Sequence, residues 1–123
     1  MRKVAPKNVW IVDSDEGVAE VIQTILQRQG YKVESISSNK NLQVKLRYGK
    51  PDVILLDVHS FDDSNGQELL TMCKECKTNK DTSLIAVSED AEVAHCVKDY
   101  ADVFIEKPFE IDNLLKAVKG ELH

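Results

Sequence analysis

Short apolar runs recur along the chain, set apart by stretches whose apolar residues stand three and four positions apart. The runs are Val9-Trp10-Ile11-Val12, Val53-Ile54-Leu55-Leu56, Leu84-Ile85-Ala86-Val87 and Val103-Phe104-Ile105. They are mostly β-branched or aliphatic and barely alternate with polar residues. Strands covered on both faces of a parallel sheet have this pattern, because neither face meets water. Tyr31 to Ile36 is more mixed, with Glu34 and Ser35 between Val33 and Ile36, and reads as an edge strand.

The intervening stretches read as helices. Val18, Val21, Ile22, Ile25 and Leu26 fall on one helical face. Gly30 follows as a stop. Leu42 and Leu46 mark a second helix, ended by Gly49-Lys50-Pro51. Leu69, Leu70, Cys73 and Cys76 mark a third, and Ala91 to Lys98 a short fourth. From Glu110 onward, Ile111, Leu114, Leu115 and Val118 share a face. Strict alternation of strand and helix predicts an α/β fold, a parallel sheet with helices on both faces and right-handed crossovers.

Composition narrows the class. With 123 residues, 42% hydrophobic and 30% charged, the chain is expected to form a single domain spanning residues 1–123. Sixteen basic against 21 acidic residues give −5, which opposes non-specific attraction to nucleic acid or an anionic membrane. No direct nucleic-acid binding and no membrane association are expected. No unbroken apolar run exceeds Val53 to Leu56, too short for a spanning helix. The basic start, Met1 to Lys7, lacks the apolar core of a signal peptide. An odd count of 3 cysteines fits a reducing, cytoplasmic setting better than a disulfide framework.

Ligand sites in such sheets form outside the carboxyl ends of the strands. The first strand ends in Asp13-Ser14-Asp15-Glu16, the third in Asp57, the fourth in Ser88 and the fifth in Lys107-Pro108. The fold would gather these on one edge. Carboxylates from two strands repel unless a cation relieves them, and hard oxygen donors with room for water suit Mg²⁺. A lysine and a hydroxyl beside them suit the oxygens of a phosphoryl group.

Four pieces then stand in register: Val9-Trp10-Ile11-Val12-Asp13, Pro51-Asp52-Val53-Ile54-Leu55-Leu56-Asp57, Val87-Ser88 and Glu106-Lys107-Pro108-Phe109. On them the chain resembles the receiver domain of two-component response regulators, of the chemotaxis-regulator type. The resemblance implies a flavodoxin-like, doubly wound (βα)5 fold with a five-stranded parallel sheet in the order 2-1-3-4-5. It implies Asp57 as acceptor of a phosphoryl group from a histidine kinase or phosphotransfer protein. Mg²⁺ would be held by Asp13, Asp57 and the backbone carbonyl of His59, with Asp15 a further candidate. Ser88 and Lys107 would meet the phosphate, Phe104 would be the switch aromatic, and the bond before Pro108 would be cis. The switched surface would comprise the last two helices and the fifth strand. It would serve a downstream partner, a fused output domain or a homodimer. Such a domain is a signalling module, catalysing at most its own phosphotransfer and dephosphorylation. Trp10, on the first strand, is expected to lie close to the metal site.

The sequence departs from the family pattern in three places. Ser14 stands where a second acid is usual, although Asp15 follows. The loop Val58 to Gly66 lacks the usual Met-Pro pair and has its glycine one residue late. Glu89 follows Ser88 where a small residue is usual. These features support a second reading, a receiver-like interaction domain that is not phosphorylated. A third reading takes Asp13-Ser14-Asp15 as the D-x-D opening of a haloacid dehalogenase-type phosphatase with Asp13 as nucleophile.

Plainer roles remain open for the same residues. Asp57 could cap a turn, Asp15 and Glu16 could favour a helix N-terminus, and Ser14 could be its cap. Lys107 could be an ordinary surface lysine and Phe104 plain strand packing. Cys73 and Cys76 extend an apolar face, and the C-x-x-C lies too deep in its helix for a redox pair. His95 and Cys96 are a poor start for a zinc site. Lys74, Lys77 and Lys80 read as a solvated face, and the His59 ring as exposed.

Overall fold

The computed structural model describes residues 7–59, 66–75 and 82–121. Strands β1 (Asn8–Val12), β2 (Lys32–Ile36), β3 (Val53–Asp57), β4 (Ser83–Ser88) and β5 (Val103–Glu106) alternate with helices α1 (Glu16–Arg28), α2 (Asn39–Tyr48), α3 (Gly66–Glu75), α4 (Ala94–Val97) and α5 (Ile111–Lys119). A 3₁₀ turn, Ala91–Val93, leads into α4. All strand pairs are parallel, in the order β2-β1-β3-β4-β5. This is the flavodoxin-like arrangement, with Tyr31 outside the edge strand β2.

The unbroken apolar runs are explained by two cores. Val9, Ile11, Val53, Leu55, Ile85, Val87 and Ile105 face one side of the sheet, under Ala19, Ile22 and Leu26 of α1 and Leu114, Ala117 and Val118 of α5. Trp10, Val12, Ile54, Leu56, Leu84 and Ala86 face the other side, under Leu42 of α2, Leu69, Leu70 and Cys73 of α3, and Val97 of α4. Successive side chains alternate between faces, and both faces are dry, so the strands carry no polar alternation. Leu42, Leu56, Leu69, Leu84 and Cys73 have no exposed surface.

Two helices sit rotated from the faces their sequences suggest. In α1 the buried line is Ala19, Ile22 and Leu26, and Val21 is 60% exposed. At about 100° per residue, Val21 points well away from that line. In α5 the buried face is Leu114, Ala117 and Val118, while Ile111 opens the helix and stays 52% exposed. Helix ends are closed locally. Asp15 caps α1, accepting from the Val18 amide at 3.2 Å, and Ser38 caps α2 through the Asn41 amide at 3.1 Å. Gly30, at φ 94°, follows Gln29 at the end of α1. Gly49 ends α2 for a tertiary reason: a Cβ there would lie 2.5 Å from Cζ2 of Trp10.

Lys74 is not merely solvated. Its Nζ donates to the Asp99 carbonyl at 2.5 Å and sits 5.3 Å from the centre of the Tyr100 ring, which ties α3 to the approach of β5. Lys77, Lys80, Cys76 and most of the loop after β3 lie outside the described residues. Cys73 is buried and Cys96 exposed. Among the described residues, no three His, Cys, Asp or Glu side chains cluster as metal ligands, and no helix is long and apolar enough to cross a membrane.

Candidate functional site

The sheet order reverses between β1 and β3, so the crevice beyond their carboxyl ends is the natural site. Asp13 follows β1 directly and Asp57 is the last residue of β3. Each carboxylate is held by the backbone turning away from its strand. Asp13 Oδ1 accepts the Asp15 amide at 2.9 Å, and Asp57 Oδ1 accepts the His59 amide at 2.8 Å. The other oxygens face each other across Lys107. Its Nζ donates to Asp13 Oδ2 at 2.9 Å and to Asp57 Oδ2 at 2.6 Å. All three side chains are largely buried, with 6%, 16% and 14% exposure for Asp13, Asp57 and Lys107.

One ammonium therefore serves two carboxylates, and the triad keeps a net negative charge. Burial alone would lower the Lys107 pKa. Hydrogen bonds and charge from Asp57 and Asp13 outweigh it and leave the pKa raised. Lys107 is carried here by β5, its amide donating to the Ser88 carbonyl at 2.8 Å, and the Lys107–Pro108 bond is cis.

Ser88 ends β4 fully buried. Its Oγ accepts the Asp90 amide at 3.0 Å and lies 3.1 Å from Nε2 of His59. The His59 ring contact is the part that sequence reasoning missed. The parallel register pairs Asp57 with Val87, so Ser88, the last residue of β4, lies beside the residues that follow β3. That register is a tertiary feature, and no local sequence pattern signals the contact.

Other candidate residues lie apart from this group. Asp15 spends its carboxylate on the α1 cap, and Ser14 is exposed and is not that cap. Phe104 is half-buried and packs on the α4 side of the sheet, in a groove with Ala94, Val97 and Ala101. Trp10 is not a neighbour of the carboxylates. Its indole edge reaches Gly49, just ahead of β3, toward the opposite end of the sheet. Gly66 opens α3 hard against the end of β3, where a Cβ would lie 2.6 Å from the Val58 carbonyl oxygen. The loop of residues 60–65 between them lies outside the described residues.

A doubly wound sheet with paired acids and a lysine at its switch point defines a class of α/β proteins, and the comparisons narrow it. The chain belongs to the response regulator receiver domain family, which matches residues 9–119. It is 29% identical over 117 residues to the response regulator ArlR of Staphylococcus saprophyticus, covering 93% of this chain and 51% of that protein. It is 26% identical over 113 residues to the DNA-binding transcriptional regulator NtrC of Proteus hauseri, covering 91% of this chain and 24% of that protein. The chain thus spans about half or less of the curated relatives it matches. Among solved structures, the signal receiver domain from Bermanella marisrubri superposes with a TM-score of 0.80 at 26% identity, covering 94% of this chain and 97% of that one. The Thermotoga maritima response regulator TrrA, solved in complex with Mg²⁺–BeF, has a TM-score of 0.80 at 24% identity, covering 94% and 99%. Receiver domains are signalling modules of two-component systems. Family and sheet order displace the phosphatase reading, in which Asp15 would join Asp13 in the chemistry instead of capping α1.

Proposed function

We propose that the chain is a phosphoryl-accepting receiver with Asp57 as the acceptor. The observation that carries this is the triad: Asp57 ends the central strand, shares Lys107 with Asp13, and has Ser88 at the end of the neighbouring strand. An Asp57 carboxylate oxygen attacks phosphorus, the phosphorus–nitrogen bond to the donor's histidine breaks, and the departing imidazole keeps the electron pair. The donor is a histidine kinase or phosphotransfer protein, met in the cytoplasm. Lys107 pairs with the transferred group, and the Ser88 hydroxyl reports its presence.

The donor set fits Mg²⁺. Two partly buried carboxylates and the His59 carbonyl are hard oxygen donors, and water would complete the shell. When bound, the ion offsets charge on the carboxylates and the incoming phosphoryl group. Ser14 supplies no charge and Asp15 faces its helix, so the affinity is low for such a site. Output runs through α4, β5 and α5, where Phe104 flanks an open groove. This face serves a downstream protein, an output domain or a second copy.

Acetyl phosphate with Mg²⁺ should add one phosphate to the intact chain by mass spectrometry, and none to Asp57→Asn. A label that persists in Asp57→Asn overturns the assignment. Complete failure to label favours the second reading, an interaction domain that is not phosphorylated. The exposed Ser14 and the acidic Glu89 beside Ser88 support that alternative.

A further inference from the structure

We propose that the His59 imidazole is a latch on Ser88, opposing by one hydrogen bond the capture of the serine hydroxyl by a group on Asp57. The inference rests on the phosphoryl-acceptor reading and adds to it a positioning residue. Ser88 Oγ has no exposed surface, and a hydroxyl carries a single proton. The Asp90 amide already donates to this oxygen at 3.0 Å, and Nε2 of His59 lies 3.1 Å away. With a bare Nε2, the ring takes the only proton Ser88 can give. With a protonated Nε2, the ring fills the oxygen's second lone pair and pins its rotamer. In both tautomers Ser88 is tied to the segment after β3, and leaving that contact costs a hydrogen bond.

The latch is anchored where it can sense the acceptor. The His59 amide donates to Asp57 Oδ1 at 2.8 Å, so one residue contacts the acceptor through its backbone and Ser88 through its side chain. Recruitment of Oδ1 into a bond with phosphorus would disturb the amide contact and loosen the ring above it. His59 is exposed, so the ring has room to swing outward. Its removal should favour the state in which Ser88 is engaged by the acceptor.

Beryllofluoride with Mg²⁺, a phosphoryl mimic, titrated by ¹⁹F NMR, tests this in a double-mutant cycle. His59→Ala should tighten beryllofluoride by about two- to tenfold, the equivalent of one net hydrogen bond. In the Ser88→Ala background the same substitution should have no effect. His59→Gln, which keeps a hydrogen-bonding group, should fall between. Equal effects in both backgrounds, or unchanged or weaker binding in His59→Ala, overturn the latch. Failure of the wild type to bind the mimic, or binding that survives Asp57→Asn, overturns the acceptor reading instead. In that case the latch is decided by hydrogen exchange of the Asp90 amide. His59→Ala should speed it about two- to tenfold if the ring holds Ser88, and an unchanged rate refutes the contact.

Discussion

Lys107 is the hinge of the site's electrostatics, because it is shared by two carboxylates that would otherwise face each other. Lys107→Met should therefore do more than remove a contact. It leaves two largely buried negative charges with no cation between them, which costs about 3 kcal/mol in stability. Mg²⁺ should recover more of that loss in the variant than it adds to the wild type, since binding to the folded form alone raises stability. Urea unfolding with and without Mg²⁺ measures both effects. Equal midpoints for variant and wild type without metal would show that the carboxylates relax apart. Ser14 and Asp15 separate in the same way. Ser14 is exposed beside Asp13, so Ser14→Asp adds a charge near the cation and should tighten Mg²⁺ about tenfold by calorimetry. Asp15 caps α1, and asparagine caps nearly as well, so Asp15→Asn should leave both stability and metal affinity unchanged. Asp15→Ala should cost about 1 kcal/mol. Loss of Mg²⁺ binding in Asp15→Asn would place that carboxylate on the ion and not on the helix.

Elements differ in how far their sequences specify them. Three dry strands were legible because no polar residue interrupts Val9–Val12, Val53–Leu56 or Leu84–Val87, as expected of strands buried on both faces. The gathering of Asp13, Asp57 and Lys107 followed from strand ends alone. What was not legible depends on neighbours. The α1 pattern allowed several faces, and packing chose the one through Ala19, with Val21 left outside. Lys74 is exposed, as its sequence suggests, and only the fold shows Asp99 and Tyr100 beside it. The His59 ring contact needs the β3–β4 register, which no local pattern encodes. Gly49 is similar: the sequence marks it as a helix stop, and the structure makes it a clearance for Trp10. Gly49→Ala places a Cβ 2.5 Å from the indole, so it should cost about 1–3 kcal/mol through forced repacking. Trp10 is 4% exposed, and a shift of its emission to longer wavelength should accompany that loss. An unshifted spectrum and full stability would mean that α2 slides away freely. Because the indole points toward Gly49, Trp10 reports on this joint better than on the cation site.

Among the described residues, two groups with raised pKa values make stability of the whole domain sensitive to alkali. Lys107 lies above its usual 10.5 because Asp57 and Asp13 overcome the effect of burial. Tyr31 lies above its usual 10.0 because of burial first and the Glu121 charge second. In both cases the folded chain holds its proton to higher pH than the unfolded chain does. Stability from the Lys107 interaction is complete below its unfolded pKa. It drains away as pH rises through the folded pKa, because the unfolded chain then binds fewer protons. Tyr31 acts in the same direction, since burial disfavours its anion in the fold, and begins lower because its usual value is 10.0 against 10.5 for Lys107. The sheet joins the two effects, with Tyr31 packed against the core under α1 and α5 and Lys107 at the far edge, in one cooperative unit. Urea midpoints should therefore fall steadily from about pH 9.5 upward, with no matching loss between about pH 7 and 9 from these groups. Tyr31→Phe should remove the earlier part of the decline, and Lys107→Met the later part. The Lys107→Met chain would start less stable and show the shallower slope above about pH 10.5. A decline equally steep in both variants would place the alkaline transition elsewhere and remove Lys107 as the group that binds the strand ends together.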